Sequence, residues 1–134
     1  MNITFRWINL EKDEKIEELM RTQLLGLEKF AKDLFKKETL VQVELGKSTR
    51  HHRKGPYFYL ECQLSFPKKI LRAVAEKESF EEAIDEVKDE LLRQIKKYKS
   101  SLRAKAERRM RKIKREKRVA KEAQKKEGKR VWYE

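Results

Sequence analysis

Residues 57–84 read YFYLECQLSFPKKILRAVAEKESFEEAI, and this stretch decides the fold. From Tyr57 to Phe66 and again over 69–76, apolar and polar side chains alternate, the two-residue period of a half-buried strand. Pro67-Lys68-Lys69 supplies a turn between them, so the two runs are expected as a hairpin. Ser79-Phe80-Glu81-Glu82 has the spacing of a capping box, in which hydroxyl and carboxylate satisfy orphan amides at a helix start.

Working outward toward the C-terminus, Phe80, Ile84, Val87, Leu91, Ile95, Tyr98 and Leu102 keep one apolar stripe at helical spacing. No Gly or Pro occurs between residues 68 and 127. A helix over 80–127 would be roughly 70 Å long at about 1.5 Å per residue. After Leu102 the stripe thins to Ala106, Met110 and Ile113 among lysines and arginines, so that half cannot bury much.

Outward in the other direction, Leu40-Val41-Gln42-Val43-Glu44-Leu45 alternates and ends at Gly46, a further strand. Residues 2–8 are rich in β-formers and give a first strand. Between them Ile16, Leu19, Met20, Leu24, Leu27, Phe30, Ala31 and Leu34 line one helix face, with Asp13 as N-cap and Gly26 marking close packing. The order is β-α-β-β-β-α. It predicts an α+β domain with a four-stranded sheet and both helices on one face, the second helix extended into a long basic arm.

The chain has 134 residues, 38% hydrophobic and 44% charged, so its core is small. The net charge of +13 is unevenly placed. Residues 1–92 hold 17 Lys/Arg and 18 Asp/Glu, a net of −1, and residues 93–130 hold 19 and 4, a net of +15; Glu134 closes the sum. A near-neutral domain carrying a strongly positive helix points to a polyanion partner, most simply nucleic acid.

Catalytic constellations are hard to find. The single Cys62 lies in the run 57–64 as a half-buried structural thiol and excludes an internal disulfide or a cysteine zinc cluster. His51-His52 stand in a basic loop without acidic neighbours and make a poor metal pair. Glycines at 26, 46, 55 and 128 form no phosphate-binding loop, and the carboxylates read as helix-supporting pairs with nearby lysines and arginines. The expectation is a protein that is not an enzyme, with no cofactor, no metal and no small-molecule substrate. No apolar segment approaches a membrane span, which implies a cytoplasmic protein without a membrane partner.

The nucleic-acid features are more specific. Arg93, Lys96, Lys97, Lys99, Arg103 and Lys105 recur on the final helix away from Ile95, Tyr98 and Leu102. One face can pack while the other meets phosphates, releasing condensed cations and making binding salt-dependent. Arg108 and Arg109 offer planar forks that suit folded RNA. A second basic patch lies in the loop with Lys47, Arg50, Arg53 and Lys54, which reads equally well as an ordinary exposed turn.

Leu71-Arg72-Ala73-Val74-Ala75-Glu76, Ser79-Phe80-Glu81-Glu82-Ala83-Ile84-Asp85 and Leu91-Leu92-Arg93-Gln94-Ile95-Lys96-Lys97-Tyr98-Lys99 resemble the ribosome hibernation promoting factor family, which includes ribosome-associated inhibitor A (YfiA). The likeness is ungapped over about 70–103, and Leu27-Glu28-Lys29-Phe30 is similar to the end of the family's first helix. The resemblance implies a translation inhibitor active in stress, which occupies the mRNA/tRNA channel of the small ribosomal subunit through rRNA contacts. It implies a small-subunit and whole-ribosome partner, RNA contacts at Arg93, Lys96, Lys97, Lys99 and Arg103, and a weaker one at Arg72.

Departures accompany it. Gln23 and Gly26 stand where the family places first-helix lysines, and a basic extension stands where the long-form family has a dimerisation domain. The division expected is therefore a hibernation-factor-like domain over 1–105 and a basic helical extension over 106–134, monomeric off the ribosome. The alternative is a general RNA-binding or ribosomal subunit assembly protein. A coiled-coil scaffold is disfavoured because heptads fail beyond Leu102.

Overall fold

The computed structural model describes residues 1–48 and 57–132, with side chains described up to Lys125. Its elements are β1 (Asn2–Ile8), α1 (Glu14–Phe30), β2 (Leu40–Ser48), β3 (Tyr57–Phe66), β4 (Lys69–Lys77) and α2 (Phe80–Trp132). The fold is α+β in the order that the sequence patterns predict. The chain divides into two compact units, Met1–Lys96 and Lys97–Glu134.

In the first unit the four strands lie in the order β1-β2-β3-β4, with β1 parallel to β2 and the other pairs antiparallel. Register puts Phe5, Val43, Cys62 and Ala73 in one row across the sheet, and Trp7, Leu45, Leu60 and Ala75 in the next. Because side chains alternate, every second residue of each strand joins this apolar face. Through the middle of β2 to β4 these positions are buried, while those of β1 are half-buried, as suits an edge strand.

Both helices cover that face. From α1 come Ile16, Met20, Leu24 and Leu27, and from α2 Phe80, Ala83, Ile84, Val87, Leu91 and Ile95, all buried. Trp7 reaches both: its indole Nε1 donates to Glu17 Oε2 at 2.7 Å, and its ring meets Phe80 edge-on at 5.7 Å. Glu17 is itself buried, and Lys12 and Arg21 approach its other oxygen at 3.9 and 3.8 Å. A buried carboxylate with one hydrogen bond and two cations nearby is a compensated one.

The Asp13 cap follows the sequence, and at Ser79 the structure shows the hydroxyl half of the capping box. Asp13 accepts from the Lys15 amide at 3.0 Å, and Ser79 Oγ accepts from the Glu82 amide at 3.2 Å. Cys62 is fully buried rather than half-buried, and burial pushes its thiol up to about 12.

Three further local expectations need correction. A Cβ at Gly26 would meet nothing within 4 Å, so this glycine does not mark close packing. The strand expected to end at Gly46 runs on to Ser48, because β3 keeps pairing through Ser48 with Tyr57. Phe30, placed on the apolar face of α1, is 43% exposed, and Phe35 beyond the helix takes the core position, edge-on to Phe66.

Candidate nucleic-acid interface

In the first unit, the buried stripe of α2 dictates where its cations go. Ile95 fixes one side of the helix inward, and Arg93, two residues earlier and so about 200° around the axis, faces solvent. Its Nε and Nη2 donate to Glu90 Oε2 and Oε1 at 3.0 and 2.6 Å, a two-pronged pair across one helical turn. The Arg93 guanidinium holds the Glu90 carboxyl down at about 2, and the carboxylate in turn raises Arg93. Gln94 Nε2 adds a third donor to Glu90, at 2.9 Å, and also donates to the backbone carbonyl of Arg72 at 2.9 Å.

Arg72 stands on the opposite, uncovered face of the sheet. Its Nε donates to Glu61, which also accepts from the Tyr59 hydroxyl at 2.7 Å. The hydrogen bond from Arg72 is the main reason the Glu61 carboxyl lies below its usual range, and burial with the Glu61 bond raises Tyr59. Lys96 lies over the ring of Phe30, 5.7 Å from its centroid, which brings the ammonium to the end of α1. Lys47 is exposed at the end of β2. The first unit thus brings Arg93 and Arg72 to one network through Gln94 but on different surfaces, with Lys47 on another strand.

In the second unit Lys97, Arg103, Lys105, Arg108 and Arg109 are exposed and Lys99 is half-buried. From Lys105 to Lys125 every residue is exposed. Arg111 Nη2 stands 3.9 Å from Glu107 one turn away. Three acidic residues, Glu107, Glu116 and Glu122, face fourteen Lys/Arg over 97–125, so the helix surface is positive throughout.

Arg50, Arg53 and Lys54, together with His51 and His52, lie outside the described residues, as do Tyr133 and the side chain of Trp132. Among the described residues no group of His, Cys, Asp and Glu could hold a metal, and no helix is long and apolar enough to cross a membrane. Glu90, Gln94 and Glu61, the partners of the two arginines, were not singled out by sequence reasoning. The one signal that could have found Glu90 is its spacing, three residues before Arg93 on one helix.

Comparison with known proteins places the fold. The N-terminal domain of Thermus thermophilus Protein Y is 24% identical, with a TM-score of 0.59 over 73% of this chain and 99% of its own. A ribosomal subunit interface protein from Coxiella burnetii is 16% identical, with a TM-score of 0.57 over 75% of this chain and 99% of its own. No curated protein sequence matches the chain. Residues 2–103 match the family described as Sigma 54 modulation protein / S30EA ribosomal protein. That span takes in all four strands, both caps and Arg72, Arg93, Lys96, Lys97, Lys99 and Arg103, and the chain belongs to this family.

Proposed function

We propose that this protein binds the ribosome as a hibernation factor, occupying the mRNA/tRNA channel of the small subunit through rRNA contacts and inhibiting translation by occupancy without chemistry. The observation that carries the reading is the coincidence of a ribosomal-protein family match over 2–103 with exposed cations on α2 inside that span. Arg93 and Lys96 in the first unit, and Lys97, Lys99 and Arg103 in the second, are the proposed phosphate ligands. Arg72 and Lys47 are secondary. Residues 1–105 act as the channel-binding domain, and 106–134 act as a basic extension whose Arg108 and Arg109 add RNA contacts. The protein works in the cytoplasm as a monomer off the ribosome.

Sedimentation tests this. The protein should pellet with small subunits and whole ribosomes at moderate salt and inhibit translation in vitro. R93E/K96E should lose the pellet while keeping the far-UV circular dichroism of the parent. Failure of the parent protein to co-sediment overturns the proposal.

A second reading, general RNA binding or subunit assembly, is favoured by one observation: the positive surface of 104–125 lies beyond the family match. Equal affinity for an unrelated RNA duplex and for ribosomes, with no effect on translation, would establish it instead.

A further inference from the structure

Glu90 faces solvent on the acidic first part of α2, yet it is held by side chains at both oxygens. Both its oxygens are engaged, one by Arg93 Nε at 3.0 Å and the other by Arg93 Nη2 at 2.6 Å and Gln94 Nε2 at 2.9 Å. Gln94 is anchored in turn, because its amide also donates to the Arg72 carbonyl of β4. The carboxylate therefore presents two anionic oxygens to the fork of Arg93, the geometry in which arginine takes a phosphate. The side chains stay accessible, 37% exposed for Glu90 and 65% for Arg93, so an incoming anion can reach the pair.

We infer that Glu90 is an intramolecular competitor for the phosphate site of Arg93, an affinity-setting residue that an RNA phosphate must displace before Arg93 can bind it. This rests on the proposed role of Arg93 as an RNA ligand. Two oxygens of a phosphate can replace the two of Glu90 on the same N–H groups. The released carboxylate then keeps Gln94 as a donor and turns to solvent. RNA that cannot present two phosphate oxygens to Arg93 leaves the internal pair closed and gains nothing from it.

The alternative role, in which Glu90 orients Arg93 for its ligand, predicts the opposite sign, so substitution decides. Affinities of the full chain are measured for ribosomes and, separately, for a generic RNA duplex, using the parent, E90Q, R93Q and E90Q/R93Q. D89N serves as a charge-matched neighbour. Displacing an exposed ion pair gives a modest gain, so E90Q should bind up to about five-fold tighter. The gain should vanish in the R93Q background and exceed that of D89N. Weaker binding by E90Q, an equal gain in the R93Q background, or a gain no larger than that of D89N overturns the inference. Ribosome binding that fails while E90Q still tightens on the duplex removes the ribosomal function and leaves the competitor. Loss of parental binding to both RNAs removes both.

Discussion

The two units of the chain hold similar numbers of cations and use them in opposite ways. Met1–Lys96 has 19 Lys/Arg against 18 Asp/Glu, a net of +1, and Lys97–Glu134 has 17 against 5, a net of +12. In the first, charge is answered within the fold: Arg6 by Glu44, Arg21 by Glu17 and Glu18, Arg72 by Glu61 and Arg93 by Glu90. In the second, three carboxylates share a helix with fourteen cations over 97–125. Surface pairing costs little and adds little stability, so its value to the first unit lies in cancelling self-repulsion around a core. The second unit has no buried residue among those described and can leave its charge unbalanced. Counting lysines and arginines therefore does not tell the two units apart, whereas their unanswered excess does.

The largest effect expected is on binding. Removing 106–134 takes away 13 Lys/Arg and 5 acidic residues, a net of +8. Affinity for ribosomes at low salt should fall by orders of magnitude, and the slope of log affinity against log salt should flatten by about 0.7 to 0.9 for each phosphate that the shortened chain leaves unneutralised. Unchanged slopes in filter-binding titrations would show that the second unit is no RNA ligand.

Stability should separate the units in the reverse sense. Leu91→Ala, at a position with no exposure, should cost about 2 to 5 kcal/mol in urea unfolding. Met110→Ala, at a position 54% exposed, should stay within about 0.5 kcal/mol. Similar losses at both sites would contradict the division. Next in size, Ser79→Ala removes the hydroxyl that accepts from the Glu82 amide and should cost about 1 kcal/mol by the same measurement.

The smallest effect concerns acid. The Glu61 carboxyl is lowered from its ordinary value of 4.5, so it binds protons less readily in the folded state than in the unfolded one. Its contribution is complete above that value and is lost as pH falls through the lowered folded pKa. E61Q should flatten the acid limb of stability against pH, and an unaltered limb would show that the pair with Arg72 carries no pH dependence.

The fold was largely legible because its signals are local. Alternation at 57–66 and 69–76, the Pro67 turn and the Ser79 cap each depend on a few adjacent residues, and α1 follows from the spacing of Ile16, Met20, Leu24 and Leu27. What local reading missed depends on neighbours across the structure. Gly46 reads as a strand end, yet β3 extends the pairing past it to Ser48. Phe30 fits the apolar face of α1 by spacing, but the core position falls to Phe35 after the helix has ended. The cations of the candidate site were legible as residue types. Of their internal partners, Glu90 lies within helical reach of Arg93 and Gln94, three and four positions away, whereas the bond of Gln94 to Arg72 spans 22 positions and exists only because α2 packs on β4.

Cys62 turns that packing into a timepiece. It is the one cysteine of the sequence, sits in β3 without exposure, and its thiol is held up at about 12. The thiolate is the form that attacks an alkylating reagent, so at pH 8 the native chain should stay unlabelled and react only when the sheet opens. At saturating reagent the labelling rate counts openings of Met1–Lys96 and is blind to Lys97–Glu134. A partner that clasps the first unit must slow this count. A partner that grips only the second must leave it ticking at the same rate.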